Sequence, residues 1–279
     1  MKRTSDRRRP HSRLLKRLSF AWLGMTIPVV LSSFSMPLAA NIGGSGEDVR
    51  GPRWFSENAI VYGSFDAVRE NALFERSSGV EVREPVPPRR AGGFIGDALD
   101  TTERPLRLQG ACLSPHRPWT LSFWWALPAD LPVDGGFGLF GLSGKGYIGA
   151  FVRGKGDWCA LQRPAGVLQV YYFAGIRNVN DIYDMDIART LVLRARVWHH
   201  TAAVFRLGSV VELYNDGSLA SRITTTGRCF RPDDEMRNLE IGGGVWLDEL
   251  AVLNRAVSPE QIRDYVQGMR RIAEYSRAE

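Results

Sequence analysis

Short stretches of alternating apolar and polar residues dominate the chain from about Ala59 onward. In the stretch 119–127, every second residue is a large apolar one, and these residues are Leu121, Phe123, Trp125 and Leu127. A period of two is typical of a β-strand that buries one face. The same reasoning predicts further strands at 60–65, 106–108, 147–153, 167–173, 198–206, 239–241 and 245–253.

The clearest turn signal lies between two strongly β-prone stretches. Asp216-Gly217 separates residues 210–215 from residues 218–223. A tight hairpin turn favours this dipeptide because both central residues take a positive φ. Together with the stretch 198–206, this hairpin predicts three consecutive antiparallel strands.

One helix is predicted at the end of the chain. Ser258, Pro259 and Gln261 form an N-terminal capping signal, with proline at the first helical position. The apolar residues of this helix are Ile262, Val266 and Met269, which share one narrow face. Roughly ten short strands and a single terminal helix indicate an all-β, antiparallel two-sheet sandwich.

The first 40 residues have the charge order of an export signal. Residues 1–17 contain eight basic residues and one acid, and no further charge follows until Glu47. An apolar stretch then leads to the small residues Ala39-Ala40, after which we expect cleavage. The alternative is an uncleaved anchor, in which residues 18–36 would be the membrane contact. In both cases the remainder is exported and is periplasmic, secreted or displayed at the cell surface, with residues 41–56 as a glycine-rich linker.

The charge of the exported part argues against nucleic-acid binding. The whole chain has 36 basic and 30 acidic residues, so beyond the leader 28 bases face 29 acids. Nucleic-acid-binding domains usually present a basic face, and we predict no nucleic-acid partner. The hydrophobic content of 44% excludes a largely disordered chain.

The three cysteines leave disulfide bonding open. Cys112, Cys159 and Cys229 allow one disulfide and one free thiol in an exported chain, and their spacing does not select the pair. No Cys-x-x-Cys sequence is present, so a zinc site is not expected.

Several segments, in order, resemble the LamG-like jelly-roll family of the concanavalin A-like lectin/glucanase superfamily. The more specific ones are Trp198-His199-His200 and the ending that starts at Asp248-Glu249. The matching segments are 61–66, 93–99, 119–125, 198–202, 213–217, 239–242 and 247–262. The resemblance implies a jelly-roll domain over residues 57–257, followed by the helix at 258–279. It also implies an exported binding or adhesion module but does not identify a ligand.

The resemblance further suggests a structural calcium ion. Some superfamily members bind calcium where the first and last strands meet, which here nominates Asp66, Asp248 and Glu249. Calcium takes six to eight oxygen ligands. The alternative is that Asp66 caps a turn and Asp248 binds backbone amides.

His199-His200 is interpreted as a structural motif. Neighbouring residues on a strand point to opposite faces, so the two imidazoles cannot ligate one ion in a simple strand. A packed motif beside Trp198 is therefore favoured over a metal or catalytic site.

No carboxylate pair of a glycoside hydrolase is evident. Asp184 and Asp186 would share one face of a strand, but the alternating Glu-x-Asp-x-x-Glu strand of the glucanase relatives is absent. A solvated loop is the favoured interpretation, and no catalytic residue is predicted.

Aromatic residues opposite the aliphatic strand faces suggest a sugar-binding surface. Aromatic rings stack on the apolar faces of sugars, and polar neighbours bind the hydroxyl groups. The candidate ligand-binding residues are Trp124, Tyr147, Phe151, Arg153, Gln169, Tyr171 and Phe173. The alternative is that some of these rings are covered and form a second small core.

We therefore predict an exported, non-catalytic LamG-like module that recognises a glycan or an extracellular or envelope protein. The alternatives are a glucanase-like glycoside hydrolase and a structural domain of an envelope assembly.

Overall fold

A computed structural model describes residues 49–66, 73–74, 76–114, 117–129, 136–143, 146–153, 169–176, 183–187, 193–207, 210–224 and 238–278. All of them belong to one compact unit, Ala40–Glu279. The predicted leader, residues 154–168 with Cys159 and residues 225–237 with Cys229 lie outside the described residues. No helix in the described ranges is long and apolar enough to span a membrane.

Sixteen strands and two α-helices are described. The helices are α1 (Arg53–Asn58) and α2 (Pro259–Ala278). The strands are β1 (Ala59–Gly63), β2 (Arg76–Ser77), β3 (Glu81–Arg83), β4 (Arg89–Ala91), β5 (Asp97–Asp100), β6 (Leu106–Gln109), β7 (Trp119–Ala126), β8 (Gly136–Ser143), β9 (Gly146–Arg153), β10 (Gln169–Ile176), β11 (Tyr183–Ile187), β12 (Trp198–Arg206), β13 (Val210–Asn215), β14 (Ser218–Thr224), β15 (Asn238–Ile241) and β16 (Trp246–Leu253).

The strands form two antiparallel sheets, which confirms the predicted fold class. The first sheet has the order β14-β13-β12-β7-β16-β1-β2, with β5 paired to β16 and β4 paired to β5. The second sheet has the order β11-β10-β9-β8-β15-β6-β3. The first strand pairs with the last one, with Tyr62 opposite Ala251 and Gly63 opposite Leu250. The two ends of the domain therefore meet within one sheet.

The predicted apolar face of β7 lies in the core between the sheets. Leu121, Phe123 and Trp125 are fully buried there, together with Phe140 of the second sheet. The turn at Asp216-Gly217 has positive φ values of 51° and 82°, as the hairpin prediction requires.

A second core lies on the outer face of the first sheet. The residues of α2 that face this sheet are Ile262, Tyr265, Val266, Met269 and Ala273, all of them buried. They pack with Trp124 of β7, and Phe55 of α1 stacks on Tyr265 with a centroid distance of 4.3 Å. Both described helices therefore cover the same side of the sandwich.

The packed domain begins earlier than the predicted start at residue 57. Val49 and Phe55, which fall in the predicted linker, are buried in the second core. The glycines at 43, 44 and 46 led to the linker prediction, because glycine-rich composition is typical of flexible linkers.

Several strands were not predicted, namely β2 to β5, β8 and β11. Strand β8 contains Gly136, Gly138 and Gly141, and β2 has only two residues. Neither length nor alternation identifies such strands, because long-range pairing determines them.

Candidate functional site

The six predicted ligand-binding residues of β9 and β10 lie in register on one sheet face. Gln169 pairs with Arg153 and Tyr171 pairs with Phe151. Tyr147 is opposite Gly175, and Phe173 is opposite Gly149. Residues that pair directly across antiparallel strands share a face, so these positions form one continuous patch.

This patch belongs to the outer face of the second sheet. Ala150 lies in the core between the sheets and is fully buried. Residues alternate along a strand, so positions 149, 151 and 153 occupy the opposite face. Because α1 and α2 pack on the first sheet, neither of these helices covers the outer face of the second.

Glycines lie beside the aromatic positions on this face. Gly141 of β8 pairs with Gly149 of β9, and Gly138 pairs with Phe151. Gly141 and Gly149 add no side chain to this face, and both residues are buried. We call the outer-face positions of β8, β9 and β10 the glycine–aromatic trough.

A polar rim continues the same face on the next strands. Glu240 of β15 pairs in register with Gly141 and with Arg107 of β6. The Arg107 guanidinium and the Glu240 carboxylate form a half-exposed ion pair with an N–O distance of 2.9 Å. Sugar hydroxyls form hydrogen bonds with groups of this kind.

Trp124 does not belong to this surface, and its predicted outward, open position is wrong. It lies on the first sheet, and its indole is fully buried between Phe94 and the imidazole of His200, at centroid distances of 3.7 and 5.2 Å. Helix α2 covers this face, so the alternative of a second small core is correct for Trp124.

Asp184 and Asp186 lie on strand β11, so the favoured interpretation of this segment as a loop is wrong. The two positions share one face of the strand. They pair with Ala174 and Tyr172, whereas the trough positions of β10 are Tyr171 and Phe173. The two aspartates therefore occupy the sheet face opposite the trough.

The three nominated calcium ligands do converge where β1 meets β16. Asp248 and Glu249 are completely buried, and the Asp66 side chain is 14% exposed. Burial raises the pKa of Glu249 to about 7, although Arg50 and Tyr62 oppose this shift. Burial also raises the pKa of Asp248 well above its ordinary value.

The cation at this cluster is Arg50, which the sequence analysis missed. Its guanidinium donates to Glu249 Oε1 at 2.6 Å and also to Asp66 Oδ2. No group of three or more His, Cys, Asp or Glu side chains in the described part of the chain is arranged to hold a metal ion. Arg50 lies in the segment that composition assigns to a linker, so no local signal identifies it.

The two histidines point to opposite faces of β12, as predicted. His199 lies beside Trp125, and its Nδ1 is 2.9 Å from Asp216 Oδ2. His200 Nε2 is 2.9 Å from Ser122 Oγ in the second core. Burial lowers the pKa of His200 to about 3, and Asp216 only partly opposes this shift. Both histidines belong to packed structure, and the geometry does not form a shared metal site.

Comparisons with known proteins agree with the observed architecture. The family model Laminin_G_3, described as the concanavalin A-like lectin/glucanases superfamily, matches residues 100–263, more than half of the chain. A search of curated proteins found no match.

Solved structures with a similar fold include domains of botulinum neurotoxins. The serotype D binding domain has a TM-score of 0.53 and 13% identity over 76% of this chain and 51% of its own chain. The serotype D ligand binding domain in complex with N-acetylneuraminic acid has a TM-score of 0.50 and 14% identity, over 76% of this chain and 51% of its own. This chain therefore matches about half the length of those domains, and at such identity the likeness concerns the fold.

Proposed function

Because the chain belongs to the laminin G-type family of the concanavalin A-like lectin/glucanase superfamily, we propose that it is a non-catalytic carbohydrate-binding module. The observation that carries this proposal is the glycine–aromatic trough. Four aromatic positions, at 147, 151, 171 and 173, adjoin backbone that bears no side chain at Gly141 and Gly149.

The trough has the two chemical properties that sugars require. Aromatic rings bind the C–H faces of a pyranose, and polar groups bind its hydroxyls. Arg153 and Gln169 lie in register at one end of the patch, and the Arg107–Glu240 pair lies at one side. A sialic-acid complex of one structural neighbour supports a glycan as the partner class.

The same face argues against the glucanase alternative. Its only acidic residues on the described strands of the second sheet are Glu81 and Glu240. Glu240 is already paired with the Arg107 guanidinium at an N–O distance of 2.9 Å. A glycoside hydrolase needs two carboxyl groups that both act on the substrate. We therefore propose binding without hydrolysis.

We also propose that the module acts outside the cytoplasm. The basic leader and the apolar stretch 18–36 support export. A glycan on a cell surface or in the envelope fits this location, and an envelope protein is the alternative partner.

Glycan-array screening of the purified protein, followed by calorimetry with the best ligand, tests the function. Phe151→Ala and Tyr171→Ala are each expected to weaken binding by about tenfold or more, since stacked aromatic rings contribute one to a few kcal/mol. Their melting temperatures should stay within about 2 °C of the wild type.

The matched control is Tyr275→Ala, which removes an aromatic ring that is 75% exposed on α2, on the other side of the sandwich. Its glycan affinity should equal that of the wild type. Unchanged binding in both trough variants would refute the proposed surface. A large loss of melting temperature in those variants would instead show that the two rings belong to a core.

A further inference from the structure

Three acidic side chains are gathered where the first and last strands meet. Asp248 and Glu249 of β16 are fully buried, and Asp66 follows β1. A buried carboxylate is unfavourable unless charge or hydrogen bonds compensate it. The cluster therefore needs a cation or a complete set of donors.

The protein itself supplies a donor to each of the six carboxylate oxygens. Arg50 binds Oδ2 of Asp66 and Oε1 of Glu249, and the Tyr62 hydroxyl donates to Oε2 of Glu249. The remaining three oxygens accept backbone amides. These amides are Asp97 N to Asp66 Oδ1 at 2.8 Å, Glu249 N to Asp248 Oδ1 at 2.8 Å and Ile95 N to Asp248 Oδ2 at 3.0 Å.

The loop 93–97 closes the cluster from the other side. A Cβ at Gly93 would lie 2.6 Å from Asp248 Oδ2, and one at Gly96 would overlap Asp66 Oδ1. Calcium needs six to eight oxygen ligands at 2.3–2.6 Å. Here each carboxylate oxygen already accepts a hydrogen bond. The backbone at Gly93 and Gly96 lies in direct contact with Asp248 and Asp66.

We propose that the Arg50 guanidinium takes the place of a structural calcium ion in this domain, so that folding is independent of calcium and depends on the segment just before α1. The planar guanidinium suits this role because it bridges two carboxylates at once and keeps its charge when buried. Burial alone would lower the pKa of Arg50, but the charges of Glu249 and Asp66 raise it above its ordinary value.

This arrangement joins the N-terminal segment to the last strand. Arg50 and Glu249 are 199 residues apart, and the neighbouring Val49 is buried in the second core. The inference is independent of the glycan-binding proposal, since the cluster lies on the first sheet and the trough lies on the second.

The experiment compares melting temperatures of the full chain in EDTA and in millimolar calcium. For the wild type, the melting temperature in calcium should equal that in EDTA. The same should hold for Arg53→Met. Arg53 is the matched control because it lies three residues away and its side chain is 90% exposed. Arg50→Met should melt about 10 °C lower, because it leaves the fully buried Glu249 carboxylate without its cation.

Arg50→Lys provides a second variant in case Arg50→Met fails to fold. An ammonium keeps the charge but cannot bridge two carboxylates as a planar fork does. It should therefore fold with a melting temperature below that of the wild type and show no calcium response. Terbium should give no Tyr-sensitised luminescence with the wild type.

Two results would overturn the proposal. One is a melting temperature of the wild type that rises in calcium relative to EDTA, or terbium luminescence from the wild type. The other is an Arg50→Met protein as stable as Arg53→Met.

Discussion

Trp124 and Phe94 stack in parallel, with ring centroids 3.7 Å apart and an interplanar angle of 9°. Trp124 belongs to β7, and Phe94 lies in the loop before β5. Together with α2 they bury the outer face of the first sheet. The sandwich therefore has two cores, one between the two sheets and one between the first sheet and α2.

Trp124→Ala is expected to destabilise the protein by about 3–5 kcal/mol, because it removes a fully buried indole and leaves a cavity. The measurement is the free energy of unfolding from urea denaturation. Tyr275→Ala, which removes an exposed ring, should change this free energy by less than about 0.5 kcal/mol. Equal stability of the two variants would contradict the second core.

Gly96→Ala and Gly79→Ala separate two effects of adding a methyl group. Both glycines have a positive φ, at 73° and 70°, but only the Gly96 methyl would meet Asp66, whereas nothing lies within 4 Å at Gly79. The strain of the left-handed backbone alone should cost about 1 kcal/mol at Gly79. We expect at least twice that loss in unfolding free energy at Gly96. Equal losses would show that the loop does not press on Asp66.

His200 should make stability depend on pH in mildly acidic solution. Burial lowers its folded-state pKa to about 3, whereas the unfolded-state pKa is 6.5. Between these values the unfolded chain binds one more proton, so stability falls as the pH falls, by about 1.4 kcal/mol per pH unit.

His200→Gln keeps a polar side chain near Ser122 and removes the titrating group. We therefore measure its unfolding free energy from about pH 6 to pH 4. The slope of this free energy against pH should be smaller than that of the wild type by about 1.4 kcal/mol per pH unit. Parallel curves for the two proteins would contradict a buried neutral imidazole.

Ser258→Ala should destabilise the protein by about 1 kcal/mol through loss of a helix cap. Gln261 N donates to Ser258 Oγ at 3.2 Å, and Ser258 N donates to Gln261 Oε1 at 3.0 Å. The exposed Ser276 near the end of α2 provides a control, since Ser276→Ala removes no cap. Circular dichroism during thermal unfolding distinguishes the two, and indistinguishable midpoints would argue against the capping role.

Some site features could be predicted and others could not. Alternation placed Tyr147, Phe151, Tyr171 and Phe173 on common strand faces, and the structure added the pairing that joins β9 to β10. The glycines of β8 escaped prediction because glycine carries no periodic signal. The role of Arg50 could not be predicted, because its partners are 16 and 199 residues away along the chain.

Features that depend on near neighbours along the chain could be predicted from local patterns. These are the strand periodicity of β7 and β12, the hairpin turn at Asp216-Gly217 and the capping box at Ser258, where steric and hydrogen-bonding rules act over two to four residues. Local patterns did not reveal which face of each strand is covered or which cation neutralises the buried acids. Those outcomes depend on contacts between distant segments, and for such contacts the free energy is set by packing and desolvation rather than by local pattern.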